Sequence, residues 1–362
     1  MRIFLWYWGR RGGGAQYALG LARALSRQDG VSLAMSVSAQ GELHGAFRAL
    51  SVPMDSVETW NDVAGVPGAL RRLPALRRRL LERAGQADVV VSAMAHPLTP
   101  LLAPEVGRMA AYVPVVHDAT LHPGDFAFAW HWRLDRELAS ARAAVTLSQA
   151  VAQALVARRP GLPLIRSRLP ALLAEEGVAP PPPPDAPDFL FFGRLRPYKG
   201  LDLLRDAFAA LRARHPTAKL RVVGEGDAEV VAPGLAALPG VTVEPRWVAE
   251  AEIPALLGSA RAVVLPYREA SQSGVAVQAL ALGVPVVATP VGGLTEQVRP
   301  GLGGILAAAP TVEAFAAALQ TALAHGVLDR LRAEALAARP VGEWETVASD
   351  MLAALRRVVP AR

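Results

Sequence analysis

Short β-branched apolar runs, each followed by polar turn residues and a helix-like stretch, recur in two series along the chain, and five consecutive prolines at 180–184 separate the series. That order is the grammar of parallel strands joined by helical crossovers, so each half is restricted to a sheet covered on both faces. The first series opens with a continuous apolar run at residues 3–7, then Gly12, Gly13 and Gly14, then AQYALGLARALSR with apolar residues at helical spacing. Further strands are expected at 31–38, 87–94, 111–118 and 143–148. The second series restarts at DFLFFG and continues with KLRVVG at 219–224, VTVEP at 241–245, RAVVLP at 261–266 and VPVVAT at 284–289; beyond Thr311 the pattern is helical. A chain of 362 residues exceeds what one core organises. The expectation is two doubly wound α/β domains facing each other across a cleft, over residues 1–170 and 188–345. A stiff proline-rich linker at 171–187 joins them, and a last helix over 346–362 packs back on the first domain.

With 52% hydrophobic and 19% charged residues the chain is no disordered segment. The longest charge-free apolar stretch, 275–294, contains Pro285, Pro290 and several glycines, which suits a buried strand between turns better than a spanning helix. The N-terminal apolar run meets arginine too soon for a signal peptide, and cysteine is absent, so disulfide and thiolate chemistry are excluded and a cytoplasmic location is expected. The net charge of +6 is concentrated: RRLPALRRRLLERAG at 71–85 holds six arginines against one glutamate. A helix starting near Pro74 would place Leu76, Leu80, Leu81 and Ala84 on one arc and Arg78, Arg79 and Arg83 around the other, with Arg77 interrupting the apolar side. Such a basic amphipathic helix is either a surface helix with a solvated arginine face or a contact for anionic lipid or a lipid-linked phosphorylated substrate. No aromatic platform or recognition motif accompanies the arginines, so nucleic acid is not expected as a partner.

Ligands of such folds bind beyond the carboxyl ends of the strands, so the loops after strands carry the candidates. In FFGRLRPYKGLDLL, Arg194 and Lys199 flank a turn containing Pro197, and two cations there suit a diphosphate. In YREASQSGVAVQALALGVPVVATPVGGLTEQV, Ser271, Gln272, Ser273 and Gly274 precede an apolar helix whose free backbone N–H groups and positive dipole end would face an anion. Gln278 lies one turn in, within reach of a ribose hydroxyl, and Gly292 and Gly293 begin another strand-to-helix turn, with Thr295 a candidate cap.

This order of motifs resembles the retaining glycosyltransferases of the two-lobed GT-B fold, the family-4 or group 1 glycosyltransferases, over nearly the whole chain. The resemblance is strongest from Phe191 to Val298, through GRLxxxKG, VVGEGD, the serine-glycine helix start and GVPVVATPVGGLTE. It implies two Rossmann-like domains and transfer of a hexose-type sugar from a UDP- or GDP-sugar to an acceptor hydroxyl, on a polysaccharide-precursor or lipid-linked glycan. The donor would be held mainly by the second domain and the acceptor mainly by the first. It implies no cofactor and no metal, since Arg194 and Lys199 would offset leaving-group charge on the diphosphate. It further implies that Ser273, Gly274 and Val275 meet that diphosphate, that Gly13 or Gly14 lies near phosphate or acceptor, and that His117, beside Asp118 in VVHDATLHPGD, projects toward the donor sugar. Arg246 and Trp247 would sit at the nucleotide base, with Trp247 equally readable as core.

The sequence departs from the family where two glutamates seven residues apart are usual: aligning QALALGVPVV puts Ala270 and Gln278 there. Glu269 either supplies the missing group through a one-residue shift or points to solvent. His96, His122 and His131 are candidates to line the acceptor side, and in DFAFAWHWRLDREL the aromatics Phe126, Phe128, Trp130 and Trp132 are core or a lipid-facing acceptor surface. Together with Arg78, Arg79 and Arg83 they suggest work on the inner face of a membrane. The rivals are a nucleotide-sugar 2-epimerase of similar architecture and a non-catalytic sugar-nucleotide binder; a periplasmic binding protein fits less well because the N-terminal run does not read as a signal peptide, and a dinucleotide-dependent oxidoreductase because GRRGGGAQ is not GxGxxG.

Overall fold

A computed structural model of the chain describes all residues except 61–64, 122–126, 172–176, 340–341 and 360–362, together with the side chains of 127 and 129. Two compact units result. His122 and Phe126 lie outside the described residues.

The first unit alternates strand and helix: β1 (Arg2–Tyr7), α1 (Gly13–Ser26), β2 (Ser32–Ser38), α2 (His44–Arg48), β3 (Met54–Val57), α3 (Val66–Gln86), β4 (Val89–Ser92), α4 (Thr99–Met109), β5 (Ala111–Val116), α5 (Ala127–Ser140), β6 (Ala144–Thr146), α6 (Gln149–Arg158) and β7 (Leu164–Arg166). All seven strands are parallel, in the order β3-β2-β1-β4-β5-β6-β7. The second unit contains β8 (Phe189–Phe192), α7 (Leu201–Arg212), β9 (Leu220–Val223), α8 (Ala228–Val231), β10 (Val241–Glu244), α9 (Ile253–Gly258), β11 (Ala262–Leu265), α10 (Gly274–Ala281), β12 (Val286–Ala288), α11 (Leu294–Gln297), β13 (Gly304–Leu306), α12 (Val312–Leu323) and α13 (Val327–Ala337). Its six parallel strands run β10-β9-β8-β11-β12-β13. Both sheets reverse their winding between the first and fourth strand of the unit, which opens a crevice at the carboxyl edge where neighbouring crossovers leave to opposite faces.

The inner strands are continuous apolar runs because helices cover both faces: every residue of β4 and β11 is buried. Strands β3, β7 and β13, which the sequence pattern did not announce, are edge strands of three or four residues, too short and too one-sided for a period to show. The apolar stretch 275–294 is not one buried strand. It divides into α10 and β12, parted by Gly283 at φ 77°.

Helix α3 begins at Val66 rather than at Pro74, which lies inside it. Pro67 in the first turn suits a helix start, and Ala69, Leu76, Leu80 and Ala84 form one buried stripe across the interior proline. A last helix, α14 (Glu343–Val358), belongs to the first unit and packs on α1. Its Trp344 ring lies 5.7 Å from that of Tyr17, and Glu345 and Glu343 pair with Arg27 and Arg168. Ala179, just before the prolines, is buried in the core of the second unit, and its N–H donates to the Leu282 carbonyl.

Candidate functional site

The winding reversal of the second sheet lies between β8 and β11, and the loops leaving those strands are bound together there. The Arg268 N–H donates to the Tyr198 carbonyl at 2.8 Å, and the Lys199 ammonium sits 3.7 Å from the centroid of the Tyr267 ring. Tyr267 is fully buried; burial pushes its phenol up to about 12, against the neighbouring Ser273 hydroxyl, so it stays neutral. Thr289, at the end of β12, donates its hydroxyl to the Tyr267 carbonyl. Lys199 is thereby held at the carboxyl edge, while Arg194, which follows Gly193 at the end of β8, is exposed.

Beyond Tyr267 the chain runs to the start of α10. The Ser273 hydroxyl accepts from the Ala276 N–H at 3.2 Å and so caps the helix. Its own N–H donates to Oε1 of Gln297, on α11, at 2.8 Å. The amides at Gly274 and Val275 fall in the first turn, where a helix has no internal acceptor for them, and they carry the positive end of its dipole. The loop after β12 closes against this one. The Gly293 N–H donates to the Ala270 carbonyl, and Gly292, at φ 46°, leaves no space for a Cβ beside the same oxygen. Thr295 is not a cap: it lies inside α11 and donates back to the Gly292 carbonyl. Gln278 is buried at 4% exposure, and Glu269 is exposed in the loop before it.

Arg246 and Trp247 follow β10, the edge strand two places from the reversal. The Arg246 guanidinium is pinned between Glu244 and Glu252, whose carboxylates raise its pKa, and Trp247 is half-buried. Arg194, Lys199, Ser273, Gly274, Val275, Arg246 and Trp247 thus all stand at one edge of one sheet. Tyr267 and Gln297 were missed in the sequence; Gln297 had no signal beyond lying after the Gly292-Gly293 turn.

In the first unit the reversal lies between β1 and β4. Gly12, at φ 79°, precedes Gly13 and Gly14 in the first turn of α1, and Gly14 is packed so closely on Met94 that a side chain there would strike its sulfur. His117 follows β5; its Nε2 donates to the Ala93 carbonyl at 2.9 Å, its ring meets Tyr17 edge-on, and burial lowers its pKa against the opposing Ala93 and Asp118. The ring is therefore a neutral hydrogen-bonding group at neutral pH. His96 is buried between Trp8 and Trp60, accepts the Leu98 N–H on Nδ1, and is pushed down to about 4 by burial and by the charge of Arg10. His131 is exposed on α5.

One sequence-based assignment of the membrane-facing set changes and one open alternative closes. Arg83 is turned back onto the edge strand, paired with Asp55 at 2.9 Å, and leaves the solvated face to Arg78 and Arg79. Trp130 is turned inward, packed with Leu134 and Leu138 under the Arg158 guanidinium, whereas Phe128 and Trp132 are exposed. Arg77 pairs with Glu105 on α4, its Nε 2.7 Å from Oε1, so its place beside the apolar stripe is neutralised. Among the described residues no three His, Asp or Glu side chains gather as metal ligands, and no helix is long and apolar enough to cross a membrane.

Two doubly wound parallel-sheet domains are the layout of GT-B proteins, and comparison with known structures agrees in fold. Residues 186–325 match the family model described as Glycosyl transferases group 1. The D-inositol 3-phosphate glycosyltransferase of Jonesia denitrificans is 36% identical over 185 residues, covering 48% of this chain and 44% of the relative. The glycogen synthase of Mycobacterium tuberculosis is 34% identical over 167 residues, covering 45% of this chain and 40% of the relative. The aligned part of the chain thus spans less than half the length of these curated relatives. The fold match is longer: HepE of Anabaena in complex with UDP-glucose superposes with a TM-score of 0.73 at 18% identity, covering 98% of this chain and all of the other. Sucrose-phosphate synthase of Thermosynechococcus elongatus gives 0.73 at 18% identity, covering 99% of both chains.

Proposed function

We propose that the protein is a retaining glycosyltransferase that moves a hexose from a nucleotide-diphosphate sugar, UDP-linked or GDP-linked, to an acceptor hydroxyl of a polysaccharide-precursor or lipid-linked glycan. The observation that carries this reading is that Lys199, seated on the Tyr267 ring, and the start of α10 both lie in the loops at the winding reversal of the second sheet. An ammonium and the unpaired amides of a helix start form an anion site, and a diphosphate matches it in charge and size. As the sugar–phosphate bond breaks, negative charge grows on the leaving diphosphate. Lys199, Arg194 and the amides at Gly274 and Val275 then stabilise it more in the transition state than in the bound donor. The leaving phosphate takes the acceptor proton while the nucleophile attacks from the same face, which keeps the anomeric configuration.

The first unit takes the acceptor, with Gly13, Gly14 and Asp118 at its carboxyl edge and the neutral His117 as a hydrogen-bonding group for a sugar hydroxyl. Gln278 serves the ribose, Glu269 the donor sugar, and Trp247 with Arg246 the base. The UDP and UDP-glucose complexes of HepE favour UDP as the nucleotide. Thermal shift against a panel of UDP-, GDP- and ADP-sugars, followed by donor turnover in Arg194→Ala and Lys199→Ala, tests the reading; undiminished turnover in both variants overturns it. Ala270 and Gln278, standing where the family carries carboxylates, favour a second reading as a non-catalytic sugar-nucleotide binder. Binding in that panel without hydrolysis or transfer in a mixed acceptor screen would establish it.

A further inference from the structure

Helices α3, α4 and α5 are consecutive neighbours on one face of the first sheet, since α4 packs against both of the others. Crossover helices run antiparallel to the strands they connect, so the first turns of all three lie at the carboxyl edge of the sheet, the edge that holds Gly13, His96 and His117. Large apolar side chains are exposed there in each: Leu70 on α3 at 52%, Leu101 on α4 at 43%, and Phe128 and Trp132 on α5 at 77% and 42%. Phe128 and Trp132 are one helical turn apart and point the same way. The next residue of that stripe, Arg136, lies 5.9 Å from the Trp132 ring and donates to the Pro100 carbonyl, which fixes the aromatic end of α5 to the start of α4. Behind the apolar groups along α3 stand the exposed cations Arg71 and Arg79, with Arg78 between them paired to Glu82 at 3.8 Å.

We infer that this crescent docks on an anionic bilayer surface, with Phe128, Trp132 and Leu101 entering the acyl boundary and the α3 arginines meeting the lipid phosphates. The combination on one face is what selects this occupant. Exposed aromatics at helix starts supply burial, the exposed arginines of α3 supply attraction to negative headgroups, and each would be weak alone. Docking this way sets the carboxyl edge of the first sheet toward the membrane, where a lipid-linked acceptor hydroxyl would be met. The inference deepens the acceptor side of the proposed function but does not rest on donor binding, which is read separately.

The test is co-sedimentation of the full chain with vesicles of phosphatidylglycerol and phosphatidylcholine in equal parts, beside pure phosphatidylcholine vesicles. The wild type should pellet with the mixed vesicles, and less as salt is raised. Phe128→Ser/Trp132→Ser should lower vesicle affinity by about tenfold, and Arg71→Glu/Arg79→Glu should abolish the preference for the anionic vesicles. Brominated acyl chains should quench wild-type fluorescence and lose that part of the quenching in Trp132→Phe. The thermal shift with UDP-glucose, measured on each variant, shows that it is folded and leaves the donor reading to stand or fall independently. Pelleting unchanged in both double variants, or an apolar crescent that instead holds a dimer dissolved by Phe128→Ser/Trp132→Ser, overturns the inference.

Discussion

The Lys199 ammonium stands 3.7 Å from the centre of the buried Tyr267 ring, and this contact joins the loops that flank the winding reversal of the second sheet. A lysine is an extended, mobile side chain, and a neutral aromatic face holds it by cation–π attraction. Arg246 is held instead by ion pairs with Glu252 and Glu244. Lys199→Ala is therefore expected to lower kcat/KM for a UDP-sugar by about a hundredfold or more, ~3 kcal/mol. Arg246→Ala should act mainly through KM, by about tenfold or less. Steady-state kinetics with donor varied at saturating acceptor separates the two.

Gln297 positions the start of α10 from behind the proposed anion site, its Oε1 accepting the Ser273 N–H. Gln297→Ala leaves that amide without its partner and should cost about 1–2 kcal/mol of stability and weaken donor binding. Gln297→Glu still accepts the hydrogen bond but places a negative charge beside the helix start. Its melting temperature should return toward wild type while donor KM stays raised. Thermal melts and donor titrations on the two variants would show this split, and equal KM in Gln297→Glu and wild type would speak against an anion at this helix.

Gly292 is required by two independent constraints: φ 46°, and an Ala270 carbonyl oxygen where a Cβ would lie. Gly292→Ala must therefore move the loop after β12 away from the loop after β11, at about 2–4 kcal/mol. Chemical denaturation of the variant measures the loss. An unchanged midpoint would mean that the two loops do not brace one another.

Much of this was legible before the structure. Continuous apolar runs such as VVVS in β4 and AVVL in β11 declare doubly covered strands, and glycines between strand and helix mark the loops of both sites. Arg194, Lys199, Ser273 and Gly274 could be found because they lie within a few residues of those signals. What failed to show depended on long-range packing. Tyr267 reads as the end of an apolar run, and its role exists because Lys199 arrives from a loop 68 residues earlier. Gln297 reaches Ser273 across 24 residues. The outward and inward sides of α5 were equally hidden: alternating aromatics do not distinguish Trp130 from Trp132 until α6 supplies Arg158.

Two buried titratable side chains of the first unit should pull its stability in opposite directions with pH. Glu137, on α5, is buried at 3% exposure; desolvation raises its carboxyl from 4.5 to about 7, against the opposing charge of Arg133. The folded state therefore holds a proton that the unfolded chain releases, and this contribution is complete below about pH 4.5 and lost as pH rises to about 7. His96 has its pKa lowered from 6.5 to about 4 by burial, so its contribution is complete above about pH 6.5 and lost as pH falls to about 4. Each amounts to about 3 kcal/mol at full extent, and in the wild type they largely offset one another. Glu137→Gln should accordingly unmask a stability that climbs with pH from about 4 to 6.5, and His96→Phe one that declines from about 4.5 to 7. Urea denaturation of the wild type and both variants at half-unit steps across that range checks the signs. Parallel stability curves for all three proteins would mean that neither group titrates in the buried state described.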